Sequence, residues 1–212
     1  FAHLQNTILV VCFLGLGIGM FTSSKPIDIK QTLIPVTILL FLMAVPATRQ
    51  TLSATSEMLS TLGDLLIWIP VEATDAFQQI IFLTAGLALT YGIMILTVDT
   101  FVPLGRILGR LMNVSPNAIS AYSINIAGSV IGTWAFVLFS YLYQPPFAWF
   151  IFIAILLGVF VVWSNRDRRL SFALLGIIIV LSWFASLVPG SLDVIWSPYQ
   201  KLVVRDTGEN WL

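Results

Sequence analysis

Long apolar stretches alternate with short polar segments along most of the chain. None of the stretches contains Asp, Glu, Lys, Arg or His, and each reaches or approaches the roughly 20 residues that a helix needs to cross a bilayer. The pattern predicts an all-α fold, a polytopic transmembrane bundle of about six helices. The stretches are residues 7–21, 32–47, 79–98, 121–143, 147–163 and 170–188.

Residues 48–78 interrupt this pattern between the second and third stretches. The segment begins with hydroxyl and charged residues and then places Leu59, Leu62, Leu66 and Ile69 three or four positions apart. That spacing is the period of an amphipathic helix, which suits the membrane interface. A structured loop explains the same residues equally well, so both alternatives stay open.

The composition changes again after the last apolar stretch. We predict a strand at residues 201–206, a turn at 207–209 and the start of a returning strand at 210–212, because β-branched residues are followed by Thr-Gly-Glu. The chain is therefore divided into a transmembrane helical domain, residues 1–189, and the start of an extramembrane β-hairpin domain, residues 190–212.

The composition indicates lipid as the main partner of the chain. Charged residues make up only 9% of the chain and its mean hydropathy is +0.96, whereas soluble domains carry about 25% charged residues. Ten basic and ten acidic residues cancel, so we expect no nucleic-acid partner. The single cysteine, Cys12, and the single histidine, His3, exclude an intrachain disulfide and argue against a metal site.

Positive charges are concentrated in every second connection between the apolar stretches. Short loops rich in lysine and arginine stay on the cytoplasmic side of a membrane. We therefore expect the first, third and fifth connections to be cytoplasmic and the tail after the last stretch to lie outside. The basic residues of these connections are Lys25, Lys30, Arg106, Arg110, Arg166, Arg168 and Arg169.

Two pairs of glycines are spaced for close helix packing. Gly15 and Gly19 are four positions apart, as are Gly128 and Gly132, and this spacing lets two helix backbones approach. We expect both pairs to lie at helix–helix contacts. The first pair does not match a dinucleotide-binding loop, because no strand precedes it. Asn125 is expected to hydrogen-bond to a neighbouring helix.

The tail resembles a known family. Residues 196–204, Trp-Ser-Pro-Tyr-Gln-Lys-Leu-Val-Val, together with Gly208 and Asn210, resemble the entry hairpin of spermidine synthases. That resemblance implies that Gln200 lines a pocket for decarboxylated S-adenosylmethionine and that Tyr199 shapes it. The family's catalytic aspartates would lie beyond Leu212, so this chain alone is not expected to be catalytic or to hold a cofactor.

The apolar region also resembles part of that family. Residues 13–19, 103–105 and 121–132 are similar to the N-terminal membrane domain that many bacterial spermidine synthase-like proteins carry. The leading interpretation is therefore the membrane-anchoring region of such a protein, in the bacterial inner membrane. The expected outside position of the tail conflicts with that substrate, so either the helix count or the substrate is wrong.

Two other functions fit the same pattern. The chain could be a structural or accessory subunit of a larger membrane complex, or half of a major-facilitator-like transporter. Intramembrane charges usually mark proton and ion pathways, so their absence from the apolar stretches disfavours a transporter. Asp99, at the end of the third stretch, is expected to be an interface residue rather than a proton carrier.

Overall fold

The computed structural model describes residues 5–52, 76–164, 167–187, 191–196 and 201–204. These residues form an all-α bundle with a short β-hairpin, which confirms the predicted fold class. The helices are α1 (Gln5–Phe21), α2 (Lys30–Ala44), α3 (Pro46–Leu52), α4 (Ala76–Val114), α5 (Ala118–Tyr141), α6 (Pro146–Ser164) and α7 (Arg168–Ser186). The strands are β1 (Asp193–Trp196) and β2 (Lys201–Val204). Most of the predicted interfacial segment 48–78 lies outside the described residues.

The described helices include four that are long and apolar enough to cross a membrane, namely α4 to α7. The number rises to five if α2 and α3 form one bent span. Helix α1 has 17 described residues, and at 1.5 Å per residue such a helix rises about 26 Å, slightly less than a hydrocarbon core of about 30 Å. The chain thus has the architecture of an integral membrane protein, with four or five spans by this criterion among the described residues.

Pro46 explains why the second apolar stretch ends early. A residue before proline is pushed out of the helical region, and Val45 is extended with φ −78° and ψ 122°. Proline is well suited to the first position of a helix, so α3 starts at once but at 88° to α2. The hydroxyl of Thr48 donates to the carbonyl of Leu42 at 2.7 Å and covers an end of α2. The predicted stretch 32–47 is therefore not one straight helix, because the chain bends between Ala44 and Pro46.

Helix α4 extends well beyond the predicted stretch 79–98. It has 39 residues, which at 1.5 Å each is about 58 Å, roughly twice the thickness of a hydrocarbon core. Pro103 lies inside the helix and is almost completely buried, and packed membrane helices tolerate such a residue. As a consequence Arg106 and Arg110 lie on α4, and the prediction that they belong to a loop is wrong.

The core is built from side chains of α2, α6 and α7, and α2 also packs against α4. Helix α1 packs along α4, and α6 packs along α7. Helix α5 is peripheral: it contacts α4, and its Phe136 ring meets that of Trp149 on α6 with centroids 4.9 Å apart. The core side chains are Ile29, Leu33, Leu40, Ala154, Leu157, Val161, Leu175 and Ile178.

The described hairpin contains the predicted strand that begins at Lys201 and a strand that was not predicted. Strand β2 starts at Lys201 as expected, but its antiparallel partner is β1, which precedes it. Asp193 pairs with Val204, and Trp196 pairs with Lys201. The predicted returning strand at 210–212 lies outside the described residues.

Candidate functional site

Polar side chains gather at one end of the bundle, which we call the basic end. It consists of the α1–α2 connection, the last turns of α4 and the start of α7. Arg106, half-buried on α4, donates to the Thr22 hydroxyl at 3.3 Å and to the Gln31 side-chain carbonyl at 3.1 Å. It also donates to the carbonyl of Pro26 at 3.4 Å. One guanidinium thus joins α4 to the end of α1, the connection and the start of α2.

Arg110, one turn further along α4, strengthens the same junction. It donates to the carbonyls of Lys25 at 2.8 Å and of Ser23 at 3.2 Å. Arginine suits this role because its planar fork of donors can reach several carbonyls at once. The two arginines therefore hold the α1–α2 connection in a defined shape rather than leaving it as a solvated loop.

The start of α7 joins the basic end through an ion pair. The ammonium group of Lys30, at the start of α2, contacts the carboxylate of Asp167, the residue before α7. Lys30 also lies 3.9 Å from the carboxylate of Asp28. Arg168 donates to the carbonyl of Val162 at 2.6 Å, in the last turn of α6. Lys25, Arg106 and Arg168 consequently lie at the same end of the bundle, and the prediction that they share one face of the membrane stays a prediction.

We predict that Arg106→Ala lowers the stability of the chain by about 1–2 kcal/mol, since three hydrogen bonds to partly exposed acceptors are lost. Thermal unfolding in detergent, followed by circular dichroism, measures the change. Arg169→Ala is the matched control, because Arg169 is exposed and lies at the same end. Equal melting temperatures for the two variants would contradict a structural role for Arg106.

Close backbone contact occurs between α1 and α4. A Cβ atom built on Gly15 would lie 2.7 Å from the carbonyl oxygen of Val98, and one on Gly19 would lie 2.2 Å from that of Val102. The close approach expected from the spacing of Gly15 and Gly19 is therefore present. The partner glycine on α4 is Gly105, which was not among the predicted contact residues; a Cβ there would lie 2.3 Å from the Leu16 carbonyl oxygen.

A signal for this partner was present in the sequence. Gly105 and Gly109 are four positions apart, the same small-residue spacing as in α1. A Cβ on Gly109 would lie 3.0 Å from Met20, so both glycines of α4 face α1. The pair was missed because the helix was expected to end before it.

Gly128 and Gly132 lie on an open face of α5. A Cβ built on either meets no described atom within 4 Å. The predicted close contact is therefore absent within the described part of the chain, because α5 is peripheral. Asn125 likewise shows no side-chain hydrogen bond to a described neighbouring helix, and its backbone carbonyl accepts from the Ser129 hydroxyl at 3.0 Å.

The opposite end of the bundle, which we call the hairpin end, carries α3, the end of α7 and the two strands. Arg49 on α3 donates to the carbonyl of Leu187 at 3.3 Å. The ammonium of Lys201 lies 4.6 Å from the centre of the Trp196 ring. Burial lowers the pKa of Lys201, and the positive charge of Arg49 lowers it further. Two cations from distant parts of the sequence thus lie beside the hairpin, near enough for the charge of Arg49 to act on Lys201.

A cleft of about 410 Å³ adjoins these cations. Its aromatic wall includes Phe147 and Trp183, whose ring centres are 4.8 Å apart. The hydroxyl-bearing residues Ser186 and Ser191 add polar groups to the lining. The remaining lining residues are Pro145, Leu187, Val194 and Trp196.

The candidate ligand residues from the family resemblance lie outside the described residues. Both Gln200 and Tyr199 fall between β1 and β2 in the sequence, so their role stays a prediction. Among the described residues, no group of three or more His, Cys, Asp or Glu side chains could hold a metal ion.

Comparison with known proteins gives no relative. The sequence matches no family model, and neither a curated protein nor a solved structure resembles it significantly.

Proposed function

We propose that this chain anchors a protein in a membrane and holds the hairpin at the surface opposite the basic end. One observation carries the proposal: the hairpin adjoins the ends of α3 and α7, whereas Arg106, Arg110 and Lys30 are joined at the other end. Membrane proteins keep their lysine- and arginine-rich connections in the cytoplasm. The basic end would then be cytoplasmic and the hairpin non-cytoplasmic.

The hydrogen bonds of the basic end support an anchoring role. Arg106 and Arg110 hold backbone carbonyls and side chains of their own chain. Thr90 bonds to the carbonyl of Gly86 in its own helix at 2.8 Å. These polar groups are engaged in local structure, which suits a scaffold better than a transport pathway.

A finer proposal is that the anchored protein is spermidine synthase-like and resides in a bacterial inner membrane. Gln200 and Tyr199 would then contribute to a pocket for decarboxylated S-adenosylmethionine, and other residues of the protein would carry catalysis. The support is the similarity of residues 196–204 to the family's entry hairpin. A non-cytoplasmic hairpin weighs against that substrate.

The test of the anchoring proposal is the accessibility of single cysteines. In a Cys12→Ser background we predict that Lys25→Cys and Arg169→Cys react with an impermeant maleimide only after the cytoplasmic face is opened. Leu192→Cys, 71% exposed beside the hairpin, should react in intact cells. Quantitative labelling after detergent treatment is the control. Labelling of Leu192→Cys and Lys25→Cys from the same side would overturn the proposal.

A second candidate, an accessory subunit of a membrane complex, is favoured by α5. Gly128 and Gly132 share an open face there, and Ser129 and Thr133 bond only to carbonyls of their own helix among the described residues. Small residues with hydroxyl neighbours are typical of helix–helix interfaces in lipid. An additional helix from another chain would fill this face.

A further inference from the structure

Two positively charged side chains meet at the hairpin end. Arg49 is half-buried on α3, and its guanidinium is held by the carbonyl of Leu187 at 3.3 Å. Lys201 is half-buried on β2, with its ammonium 4.6 Å from the Trp196 ring centre. Carbonyl and aromatic contacts orient the two cations without supplying a negative charge.

No described carboxylate neutralises this pair. The ion pairs found among the described residues are those of Lys30 with Asp28 and Asp167, at the basic end. Burial and the nearby Arg49 both lower the pKa of Lys201, so its charged form is less stable than that of a free lysine. An anion beside the two cations would offset both effects.

The adjoining cleft indicates which anion suits the site. Leu187 and Trp196 contact the cations and also line the cleft, so the charged and apolar surfaces are continuous. Phe147 and Trp183 make the cleft wall aromatic. A ligand that fits both surfaces has a negative head and an apolar body.

We propose that Arg49 and Lys201 bind the phosphate group of an anionic membrane lipid, whose glycerol and first acyl carbons lie in the cleft beside Trp196. Arginine forms forked hydrogen bonds with phosphate oxygens, and lysine adds a point charge. Tryptophan favours the headgroup level of a bilayer, which is where the end of α7 would place it. The proposal depends only on the local geometry of the hairpin end, so it applies whichever face of the membrane the hairpin occupies.

The experiment uses the full chain purified in an uncharged detergent. Binding of phosphatidylglycerol is measured by native mass spectrometry, with phosphatidylcholine as the uncharged comparison. Arg49→Gln and Lys201→Gln should each weaken phosphatidylglycerol binding roughly fivefold to tenfold, the effect of one basic side chain near a membrane surface. Lys25→Gln removes the same charge at the basic end and should leave this affinity unchanged, whereas Lys201→Arg should retain it.

The other outcomes overturn the proposal. Equal weakening by Lys25→Gln would mean general attraction rather than a site. If millimolar inorganic phosphate displaced bound phosphatidylglycerol as well as added lipid does, the site would bind free anions rather than a lipid. Circular dichroism and melting temperature without lipid show whether each variant is folded. If Lys201→Gln is unfolded, Lys201→Arg becomes the deciding variant, because it keeps the positive charge. Weak phosphatidylglycerol binding by a folded Lys201→Arg would contradict the site.

Discussion

Replacing Gly19 by alanine should destabilise the folded chain by about 2–3 kcal/mol, the upper range for an overpacked contact. The new methyl group would lie 2.2 Å from the carbonyl oxygen of Val102 and 2.7 Å from the Cα atom of Gly105. Both are backbone atoms of α4 and cannot rotate away, so the two helices would have to separate. Separation would also loosen the dispersion contacts along the rest of the α1–α4 interface.

Gly17→Ala is the matched control for this prediction. Gly17 lies on the same helix, two positions away, and a Cβ there meets no described atom within 4 Å. Its replacement should change stability by less than about 0.5 kcal/mol, the usual limit for surface positions. Gly105→Ala should reproduce the effect of Gly19→Ala from the other helix, since its Cβ would lie 2.3 Å from the Leu16 carbonyl oxygen.

Equilibrium unfolding in a mixed detergent, followed by circular dichroism, measures these differences. Similar stabilities for Gly19→Ala and Gly17→Ala would show that α1 and α4 are not in backbone contact in the folded protein.

Leu33→Ala should cost about 2 kcal/mol or more, the lower part of the range for leucine truncation in a core. Leu33 is completely buried in the cluster that joins α2 to its neighbours. Lipid is as apolar as leucine, so the loss arises from the cavity and the missing dispersion contacts rather than from exposure to water. The same unfolding measurement applies.

Ile34→Ala provides the comparison on the same helix. Ile34 is the next residue and is 46% exposed, on the side turned away from the core. Its truncation leaves no internal cavity and should have less than half the effect of Leu33→Ala. A larger loss for Ile34→Ala would mean that α2 faces its neighbours through a different surface.

Much of the bundle could be predicted because helix formation in lipid is a local requirement. An apolar stretch must satisfy its own backbone hydrogen bonds, so the six stretches yield the helices α1, α2 and α4 to α7. The alternation of basic connections likewise predicts which helix ends lie together, because each span reverses the direction of the chain. Lys30 and Arg106 are found at the same end for this reason.

The candidate sites were harder to predict. Arg49 and Lys201 are separated by most of the sequence, and nothing in the sequence links the one to the other. Their proximity depends on how α3 and the hairpin sit against the end of α7. The resemblance singled out Gln200, next to Lys201, but Gln200 lies outside the described residues.

Sequence alone determined which segments are helical, which connections are basic and which glycines can permit close packing. Tertiary structure alone decided which glycines are used: Gly15 and Gly19 meet α4, whereas Gly128 and Gly132 have the same spacing and meet no described helix. It also decided that α4 continues past Pro103 and that β2 pairs with the strand before it in the chain, β1. The physical reason is that spacing defines a helix face, but only a second element in space can make that face a contact.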